Sequence, residues 1–441
     1  MKELADNGVL LFNDGYRTKQ AELGTDGFPI LRVSQIWDGR IREDGDLEYV
    51  RHEFRSKIGA KLAAVGDVVL TTKGTVGRRA RVTSGDRRYV YSPQVCFFRV
   101  LDAETLDPNF FYYWLGSPWC QAQIDAFRSQ TDMADYVNLR DLAQVRIDLP
   151  PIARQRRVGR LLRAIDDKIE LNRRTGRTLE EMAKAIFKSW FVDFDPVRAK
   201  ATGRRPIVPP ELADLFPSKL VGSPIGPVPE GWEVAPLGEH VEVVRGLSYR
   251  GADLVEEGEG LPLHNLNSIL ERGGYNYEGI KWYAGEYKQR HLVEPGDVIV
   301  ANTDLTHRLR VIGYPAIVPR AFGQDGLFSA DLFRIRPAEG SPLSSLYLHH
   351  ALLTPRLRAQ VVGYTSGTTV NHLSIEGLRR PPFVVPPAPL VAGFDALVRP
   401  MVELAEQLVE ESRTLAQLRD WLIPKLISGQ VRVPFSQGSS P

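Results

Sequence analysis

Cysteine is almost absent from this sequence: Cys96 and Cys120 are the only two among its 441 residues. So few cysteines exclude a disulfide-stapled scaffold and lack the spacing of a zinc site, and their scarcity fits a reducing compartment. The segment after Met1 is charged from residue 2 and contains no apolar core, so we expect no signal peptide. No apolar run approaches the roughly 18 residues of a membrane-spanning helix. We therefore expect a cytoplasmic protein.

The common nucleotide-binding and metal-binding motifs are missing as well. The sequence has neither a GxxxxGK[ST] phosphate loop nor a GxGxxG turn between a strand and a helix. Its eight histidines are scattered, and the adjacent pair His349 and His350 would point apart on a helix rather than share a metal. The net charge is only +2, from 56 basic and 54 acidic residues, so bulk charge does not indicate a nucleic-acid partner. We expect no catalytic residue and no metal site in this chain.

What the chain does contain is an internal repeat. GFPILRVSQI begins at Gly27 and GLPLHNLNSI at Gly260, while RTLEEMAKAIF begins at Arg177 and RTLAQLRDWLI at Arg413. Four further pairs of segments keep the same order. The separations drift between about 230 and about 237 residues, as insertions in surface loops would produce. We expect two copies of one ancestral unit with pseudo-twofold symmetry.

Each copy combines a globular part with a helical part. Short β-branched runs and Gly-rich turns predict an α+β fold for the globular parts. A helical period with few Gly or Pro residues predicts a long helix after each of two Pro-Pro pairs. The predicted divisions are a globular domain at 1–150, a helix at 151–195, a Pro/Gly-rich, semi-extended linker at 196–230, a second globular domain at 231–385, a second helix at 386–430 and a tail at 431–441.

The two helical segments carry apolar residues at alternating steps of four and three, which is the spacing of a coiled-coil seam. We expect them to pair as antiparallel coiled-coil helices through Val158, Leu162, Ile165, Ile169, Leu179 and Ile186 in the first and Phe394, Val398, Met401, Leu408, Leu415 and Leu422 in the second. Arg419 interrupts the second seam, and Leu418 is expected to take its place. A helix over 152–190 would span about 58 Å, which suits a spacer. The alternative is two separate amphipathic helices, each lying on its own domain.

A basic loop that contains glycine is the clearest candidate for a nucleic-acid contact. Residues 73–88 follow a predicted strand and contain six basic side chains against a single acid, Asp86. Such a loop can approach a phosphate backbone closely, and Arg and Lys read guanine edges in the major groove. An ordinary solvated basic turn is the alternative. The candidate contacts in this loop are Lys73, Thr75, Arg78 and Arg79.

The corresponding segment of the second copy keeps the position but changes the chemistry. Its candidates are Thr303, Asp304, Thr306, His307 and Arg308, and an Asp suits a cytosine edge. Further candidates in polar loops are Ser92, Gln94, Ser129, Gln130, Arg245, Ser248, Tyr249, Arg250, Ser366 and Thr368. The run from Phe110 to Trp114 offers rings for base stacking, although burial of one face in a core is the favoured interpretation. Two copies with different loop chemistry would read two different sequences.

Five strings, in the same order along the chain, resemble the specificity subunit of type I restriction-modification enzymes. They are GDVVLTTKGTVGR from Gly66, LPPIARQRRVGRLLRAIDDKIELNRR from Leu149, FKSWFVDFDP from Phe187, PEGWEVAPLGE from Pro229 and LIPKLISG from Leu422. The resemblance covers nearly the whole chain. In one departure, the first copy begins only where the end of the second copy's GWEVAPLGEHVEVV would lie, so part of its first strand is expected to be missing.

The resemblance implies a non-catalytic subunit that binds double-stranded DNA and serves phage defence. Two target-recognition domains, at 1–150 and 231–385, would each read one half of a bipartite, asymmetric site, and the paired helices would fix their separation. It also implies two modification subunits that use S-adenosylmethionine to methylate adenine N6, and restriction subunits that need ATP and Mg²⁺. No cofactor is expected in this chain itself.

Three other interpretations are open. The chain would be the specificity subunit of a methyltransferase-only or type IIB-like system in the first. In the second it would be a self-sufficient methyltransferase or nuclease, against which the missing motifs argue. In the third it would be a coiled-coil protein scaffold that reads no sequence.

Overall fold

The computed structural model describes residues 1–37, 39–42, 47–130, 135–304, 309–323, 325–367 and 370–433. The chain folds into two units: unit 1 comprises Met1–Glu170 and Ser412–Pro441, and unit 2 comprises Leu171–Glu411. Both divisions fall inside long helices, whereas the sequence places its domain limits at the helix ends. Those limits stay a prediction.

The α-helices include two that are far longer than the rest. They are α1 (Lys2–Asp6), α2 (Arg55–Ile58), α3 (Pro108–Leu115), α4 (Pro118–Ala126), α5 (Leu139–Gln144), α6 (Ile152–Phe191), α7 (Asp195–Ala201), α8 (Pro210–Ala213), α9 (Ser345–Leu353), α10 (Pro355–Val362) and α11 (Ala388–Ser428). Short 3₁₀ helices lie at Gln20–Glu22, Val33–Gln35, His52–Phe54, Gly59–Lys61, Leu237–Glu239, Gly251–Asp253, Leu266–Ser268, Tyr277–Gly279, Gln289–His291, Arg320–Phe322 and Ile375–Leu378.

The strands are short and form several sheets in each unit. Unit 1 has β1 (Leu10–Asp14), β2 (Leu23–Gly24), β3 (Phe28–Leu31), β4 (Ile36–Trp37), β5 (Arg40–Ile41), β6 (Tyr49–Val50), β7 (Val68–Thr71), β8 (Arg79–Arg81), β9 (Val90–Tyr91), β10 (Val95–Val100), β11 (Ser129–Gln130) and β12 (Asp135–Tyr136). Unit 2 has β13 (Leu220–Val221), β14 (Val228–Pro229), β15 (Glu233–Pro236), β16 (Val241–Arg245), β17 (Leu254–Val255), β18 (Leu261–His264), β19 (Lys281–Tyr283), β20 (Leu292–Val293), β21 (Val298–Ala301), β22 (Thr303–Asp304), β23 (Pro315–Ile317), β24 (Gly326–Phe328), β25 (Leu332–Pro337), β26 (Thr365–Ser366), β27 (Asn371–Leu373) and β28 (Pro382–Val385).

Unit 1 is organised around the antiparallel sheet β1-β10-β7-β8. Successive residues of a strand face opposite sides of the sheet. In β7, Val68 and Leu70 therefore join the core that contains α3, whereas Val69 joins a second core with Leu31 and Tyr91. Both faces of this sheet are covered by apolar side chains, so it is a firm base for the loops at its ends.

Unit 2 contains a main sheet with the corresponding strand order, β16-β25-β21-β23. Its edge strand also pairs in the corresponding register. Val68 lies opposite Arg81 in unit 1, and Val298 lies opposite Ile317 in unit 2. The central strands therefore share one plan, while the edge strand carries different side chains in each unit.

Two glycines permit the same close approach of two chain segments. A Cβ atom at Gly15 would lie 2.0 Å from the carbonyl oxygen of Ser92, and one at Gly246 would lie 2.2 Å from that of Ser329. Both distances are far below van der Waals contact, so any larger residue would push the segments apart. The same packing device thus recurs in both units.

In each main sheet, a buried aspartate just before one strand pairs with an arginine of the neighbouring strand. Asp67 accepts hydrogen bonds from Nε and Nη2 of Arg99, both at 2.7 Å, and from the hydroxyl of Tyr91 at 2.5 Å. Asp297 accepts from Nε and Nη2 of Arg336, both at 2.6 Å. Burial raises the pKa of Tyr91, so its hydroxyl stays protonated and donates.

The long helices α6 and α11 contact each other within each unit. In unit 1, Nη1 of Arg419 donates to Oδ1 of Asp166 at 2.8 Å. In unit 2, Nδ2 of Asn172 donates to Oε2 of Glu411 at 2.8 Å. The partner's residue number falls along α11 as the number rises along α6, so these contacts are antiparallel.

The residues predicted to pair these helices are all buried or half-buried. Val158, Leu162, Ile169, Phe394 and Val398 are buried, and Ile165, Leu179, Ile186, Met401, Leu408, Leu415 and Leu422 are half-buried. The expectation for Leu418 is wrong, since its side chain is 44% exposed. Arg419 keeps the inward position because its guanidinium lies 2.8 Å from a carboxylate oxygen of Asp166 and 2.8 Å from one of Asp420.

Residues 196–230 are not uniformly extended, contrary to the interpretation of their Pro and Gly content. They contain most of α7, all of α8, and the hairpin of β13 and β14. The prolines and glycines break up the segment, but Val197, Phe216 and Val228 lie between them and are buried. Burying such side chains gains roughly 1.5 to 3 kcal/mol each, which opposes an extended, solvated chain.

None of the helices in the described ranges has a stretch that is both long enough and apolar enough to cross a membrane.

Candidate nucleic-acid interface

The loop between β7 and β8 is held in place by hydrogen bonds. Arg78 N donates to Oγ1 of Thr71 at 2.9 Å, and Gly77 N donates to the carbonyl oxygen of Thr71 at 3.0 Å. Gly74 N donates to the carbonyl oxygen of Asp135 at 2.9 Å, which joins the loop to the hairpin of β11 and β12. Gly74 and Gly77 have φ values of +83° and +96°, where only glycine is unstrained. The loop is therefore a defined turn.

The outer side of this loop is basic and carries an aromatic ring. Lys73 and Thr75 are exposed. The guanidinium of Arg78 lies 3.9 Å from the ring centroid of Trp37, and that of Arg42 lies 5.6 Å from the same centroid. Trp37 is 39% exposed. Exposed cations beside an accessible aromatic ring suit contact with nucleic-acid phosphates and bases.

Trp37 and Arg42 belong to this surface but are not among the residues singled out from the sequence. The available signal was the string WDGRIR, where one tryptophan stands beside two arginines in a glycine-containing segment. It lies about 40 residues before the basic loop, so only the fold shows that the two segments meet.

Arg79 was predicted to contact DNA together with the exposed loop, but its side chain is half-buried in β8. Its guanidinium lies 5.2 Å from the ring centroid of Tyr112, and that of Arg81 lies 4.4 Å from the same centroid. Burial lowers the pKa of Arg81, with the charge of Arg163 adding to the effect. The sequence does not indicate that Arg81 and Tyr112 lie next to each other, because Tyr112 belongs to α3 and Arg81 to β8.

Of the other unit 1 candidates, Gln94 lies beside the loop and Ser92 does not reach the surface. The carbonyl oxygen of Gln94 accepts from N and Oγ1 of Thr72 at 2.9 and 3.1 Å. Ser92 is 1% exposed, and its backbone packs closely against Gly15. The prediction that Ser92 contacts DNA is therefore wrong. Ser129 and Gln130 form β11, and their side chains lie outside the described part of the chain.

In unit 2, the structure corrects two candidates and leaves others undescribed. Thr303 is 4% exposed and Asp304 is 1% exposed. The Oδ2 atom of Asp304 accepts from Val311 N at 2.8 Å and from Ile312 N at 3.3 Å, so this carboxylate fixes its own loop. Polar side chains next to a strand often satisfy nearby backbone groups in this way. Thr306, His307, Arg308 and Thr368 lie outside the described residues.

The remaining unit 2 candidates are accessible. Arg245, Ser248, Arg250 and Ser366 are exposed, and Tyr249 is half-buried. Ser366 lies in the sheet β22-β27-β26, which also contains Thr303 and Asp304. Nε of Arg245 donates to the carbonyl oxygen of Ala330 at 3.1 Å, and Nδ2 of Asn302 donates to the same oxygen at 3.0 Å. Arg245 is thereby linked to the start of the loop that follows β21.

The aromatic run at Phe110–Trp114 is core, which confirms the favoured interpretation of this run and not the alternative of base stacking. All five residues lie in α3 and none is more than 6% exposed. The helix packs against the main sheet on one side and against α6 and α11 on the other, within a single cluster that includes Val158 and Ile423. Burial on both sides explains why the whole run is apolar or aromatic.

His350 is buried and His349 is half-buried, next to each other in α9. Nδ1 of His350 lies 2.8 Å from the carbonyl oxygen of Leu346 and donates to it. Burial lowers the pKa of His350 to about 4, so the ring is neutral at pH 7. In the described ranges, no group of three or more His, Cys, Asp or Glu side chains is placed to hold a metal ion.

Comparison with known proteins gives consistent matches. Residues 8–181 match the model of the type I restriction modification DNA specificity domain. The MjaIX specificity subunit of a type I restriction enzyme from Methanocaldococcus jannaschii is 24% identical over 296 residues, which cover 66% of this chain and 62% of that protein. The HindI specificity subunit from Haemophilus influenzae is 22% identical over 336 residues, which cover 66% of this chain and 70% of that protein.

The fold also has a counterpart among solved structures. The crystal structure of the S subunit of a type I restriction-modification system from M. genitalium matches with a TM-score of 0.53 at 14% identity, and the match covers 98% of this chain and 95% of that one. Such low identity establishes similarity of fold. Taken with the domain match, it shows that the chain shares this fold and that residues 8–181 are similar to the type I restriction modification DNA specificity domain.

Proposed function

We propose that this chain is the sequence-specific DNA-binding subunit of a type I restriction-modification complex, with no catalytic activity of its own. The observation that carries this proposal is the basic loop in which Lys73 and Thr75 are exposed and Arg78 is half-buried. Two glycine turns hold this loop on the main sheet inside the matched specificity domain. A firm scaffold that presents a loop of variable sequence is the arrangement that recognition sites favour. Partner subunits would then methylate adenine N6 or cleave the DNA.

We further propose that the chain reads a bipartite, asymmetric site, one half with each globular part. Support comes from the two main sheets, which share strand order and register. The segments that follow β7 and β21 differ: the first is basic and exposes Lys73, whereas the second begins with the buried Thr303 and Asp304. One scaffold with two sets of loops would read two different half-sites.

The long helices would act as an antiparallel coiled-coil spacer that sets the distance between half-sites. Support comes from the burial of the seam residues and from the antiparallel contacts described above. Asn172 is a buried polar residue in the seam, and such residues fix the register of a coiled coil. Its bond to Glu411 would disfavour a slipped pairing.

The partners in this proposal are double-stranded DNA, two modification subunits and restriction subunits. S-adenosylmethionine would bind to the modification subunits, and ATP and Mg²⁺ to the restriction subunits. A chain with two similar halves suits two identical partners, because each partner would meet an equivalent surface.

Exchange of one globular part tests the division of labour. Residues 1–150 are replaced by the equivalent part of another specificity subunit, and the chimera is combined with its modification partner. Methylated adenines are then mapped across a genome. We expect one half-site to change while the other half-site and the spacer length stay the same.

Two outcomes would contradict the proposal. A change in both half-sites would show that the halves do not read independently. Methylation of all adenines alike would show that the chain is a scaffold without sequence reading.

Removing one heptad from both α6 and α11 is the matched test of the spacer, since it should alter the spacer length and leave both half-sites unchanged.

Lys73 gives a test at a single residue. Truncating Lys73 to Ala should weaken binding by about 1 to 3 kcal/mol if Lys73 contacts a base edge, and only for DNA that carries the cognate half-site. Lys2→Ala is the control, because Lys2 is equally exposed and lies in α1. A loss that is equal for all DNA sequences would make Lys73 a phosphate contact.

A further inference from the structure

Unit 1 contains a polar cleft beneath the basic loop. Its volume is about 400 Å³, and it is lined in part by Arg78, Arg79, Tyr112, Asp166 and Arg419. Cavities of roughly 300 to 1,000 Å³ are typical of sites for small ligands or ligand groups. The cleft is lined by residues of α3, α4, β8, α6 and α11 and by Gly39, Gly77, Arg78 and Gly116, which lie outside the helices and strands.

One wall of the cleft includes Arg79, and the same strand carries Arg81, which does not line the cleft; the donors of both arginines are not fully used. Arg79 and Arg81 flank Ala80 in β8 and so point to the same face of the strand, where both approach the ring of Tyr112. Nε of Arg79, and Nε and Nη2 of Arg81, are buried and have no hydrogen-bond partner in the described ranges. Buried donors in native proteins nearly always have an acceptor, so these atoms indicate a missing one.

The opposite wall already neutralises its own arginine. Arg419 donates to Asp166 and lies against Asp420, and the hydroxyl of Tyr113 donates to Asp166 as well. The charge that is left over therefore lies on the wall formed by β8. Both carboxylates are engaged by Arg419, so an incoming anion would be attracted to the β8 side.

A glycine makes room for this wall. A Cβ atom at Gly116, at the end of α3, would lie 1.8 Å from Cζ of Arg79. The guanidinium therefore occupies the space of the missing side chain. The corresponding positions of unit 2, Pro315 and Ile317, carry no charge, so the sheet does not itself require arginine at Arg79 and Arg81.

We propose that this cleft binds a phosphate group through Arg79, with Arg78 at its mouth and Arg81 adding positive charge from the same strand. A guanidinium offers paired N–H groups in a fork that matches phosphate oxygens, and the ring of Tyr112 holds both forks in place. The phosphate belongs either to the DNA backbone or to a free phosphate compound. The first case deepens the proposed function and rests on it, whereas the second does not depend on it.

The first arm of the test uses inorganic pyrophosphate and the full chain in isothermal titration calorimetry. Arg79→Gln should weaken pyrophosphate binding about tenfold, because a charge-assisted hydrogen-bond donor is lost. Gly116→Ala should give a similar loss while keeping the charge, because the new methyl group displaces the guanidinium. Arg160→Gln is the control, since Arg160 is exposed on α6 and carries the same charge. Thermal unfolding of each variant shows that it is folded.

The second arm measures duplex DNA binding by the chain with its modification partner as a function of salt. If the phosphate belongs to DNA, Arg79→Gln should lower the slope of log affinity against log salt by about 0.9. Binding to all sequences should weaken alike, and the methylated sequence should not change. If the phosphate belongs to a free compound, Arg79→Gln loses pyrophosphate binding with no change in slope.

Three results would contradict the proposal that the cleft binds a phosphate group. Pyrophosphate binding by Arg79→Gln at the wild-type level is the first. The second is a wild-type chain that binds no pyrophosphate, together with an unchanged slope in the variant. The third is a change of methylated sequence in Arg79→Gln, which would make Arg79 a base-reading residue. A complex that methylates without sequence preference would instead contradict the proposed function, and the pyrophosphate arm would still judge the cleft.

Discussion

The two main sheets share a plan and differ in what their edge strands carry. In unit 1 the edge strand places Arg79 opposite Leu70 and Arg81 opposite Val68, whereas in unit 2 the same ladder positions hold Pro315 and Ile317. The central strands are buried on both faces and tolerate little change. The edge strand β8 pairs with β7 and otherwise forms the isolated bridge from Ala80 to Gly39. The comparison teaches that this fold can change its charge at the edge while its core register stays constant.

The cores behind the two sheets differ as well. In unit 2, Phe187 of α6 lies 5.1 Å from the ring of Tyr347 and 5.5 Å from that of Phe394, measured between centroids. In the internal repeat, Phe187 corresponds to Ile423 of α11, which packs in unit 1 in a cluster with Leu162. At this position of the repeat, unit 2 thus has an aromatic side chain where unit 1 has an aliphatic one.

The largest expected effect tests this difference in packing. Phe187→Ala should lower the free energy of unfolding of unit 2 by about 4 kcal/mol, and Ile423→Ala that of unit 1 by about 3 kcal/mol, because a larger cavity is left by the ring. Both side chains are equally buried, at 3% and 4% exposed. Urea unfolding followed by hydrogen exchange assigns each loss to its unit.

Leu418→Ala is the control for these two variants. Leu418 lies on the exposed side of α11, so its truncation should cost less than about 0.5 kcal/mol. A loss from Ile423→Ala that equals or exceeds that from Phe187→Ala would remove the contrast between the two cores.

The second effect concerns the buried carboxylates. Asp67→Ala should destabilise unit 1 by about 3 kcal/mol and Asp297→Ala should destabilise unit 2 by about 2 kcal/mol, since each leaves an arginine without its partner. Asp67→Ala also removes the acceptor of the Tyr91 hydroxyl, whereas the hydrogen bonds described for Asp297 include no tyrosine. Both arginines are partly exposed, at 24% and 32%, which keeps the losses moderate. Chemical denaturation measures both, and a greater loss in unit 2 would reverse the ranking.

The third effect is a difference in acid sensitivity. Seven of the eight histidines lie in unit 2, and His52 alone lies in unit 1. Burial lowers the pKa of His350 to about 4 and that of His264 to about 3. The unfolded chain takes up protons at these positions below a pKa of about 6.5, but the folded unit does not.

Unit 2 should therefore lose stability as pH falls from about 6.5 to about 4, at roughly 1 kcal/mol per pH unit for each of these two histidines. Hydrogen exchange at pH 6 and pH 5 should show unit 2 opening more readily while unit 1 changes little. His350→Leu should reduce the slope. Equal acid sensitivity of the two units would argue that carboxylates dominate instead.

The smallest effect concerns the hydroxyl of Tyr113, which donates to Asp166. Tyr113→Phe should destabilise unit 1 by about 1 kcal/mol, the usual contribution of one hydrogen bond. Tyr112→Phe is the matched control, since its hydroxyl makes only a 3.4 Å contact with the carbonyl oxygen of Gly39. If thermal unfolding shows the larger loss for Tyr112→Phe, the bond to Asp166 does not stabilise the wall that faces β8.

The sequence predicted what depends on local periodicity. The helical pattern over 152–190 and 388–428 coincides with α6 and α11, because a 3.6-residue period sustained over ten turns has no other regular solution. The basic loop after β7 was also located, since its glycines and charges are contiguous. These features lie within short stretches of chain.

What the sequence missed depends on contacts across long separations. Trp37 meets Arg78, and Tyr112 meets Arg81, only because the sheet and α3 bring them together. The sequence predicts that Ser92 and Asp304 contact DNA, but both are buried. Ser92 lies where two backbone segments pack closely, and Asp304 accepts hydrogen bonds from the backbone. Residue type alone does not distinguish a polar group that faces solvent from one that satisfies the chain.

Because α11 supplies Ile423 and Leu426 to the core that also holds Val158 and Leu162, unit 1 is closed by residues that the ribosome adds only after all of unit 2. More than half of the chain must be synthesised between the two strips of that core. Nascent unit 1 will therefore expose an apolar strip on α3 and α6 throughout the synthesis of unit 2, and final closure is a slow, long-range step. Chaperone dependence during translation should accordingly concentrate on unit 1.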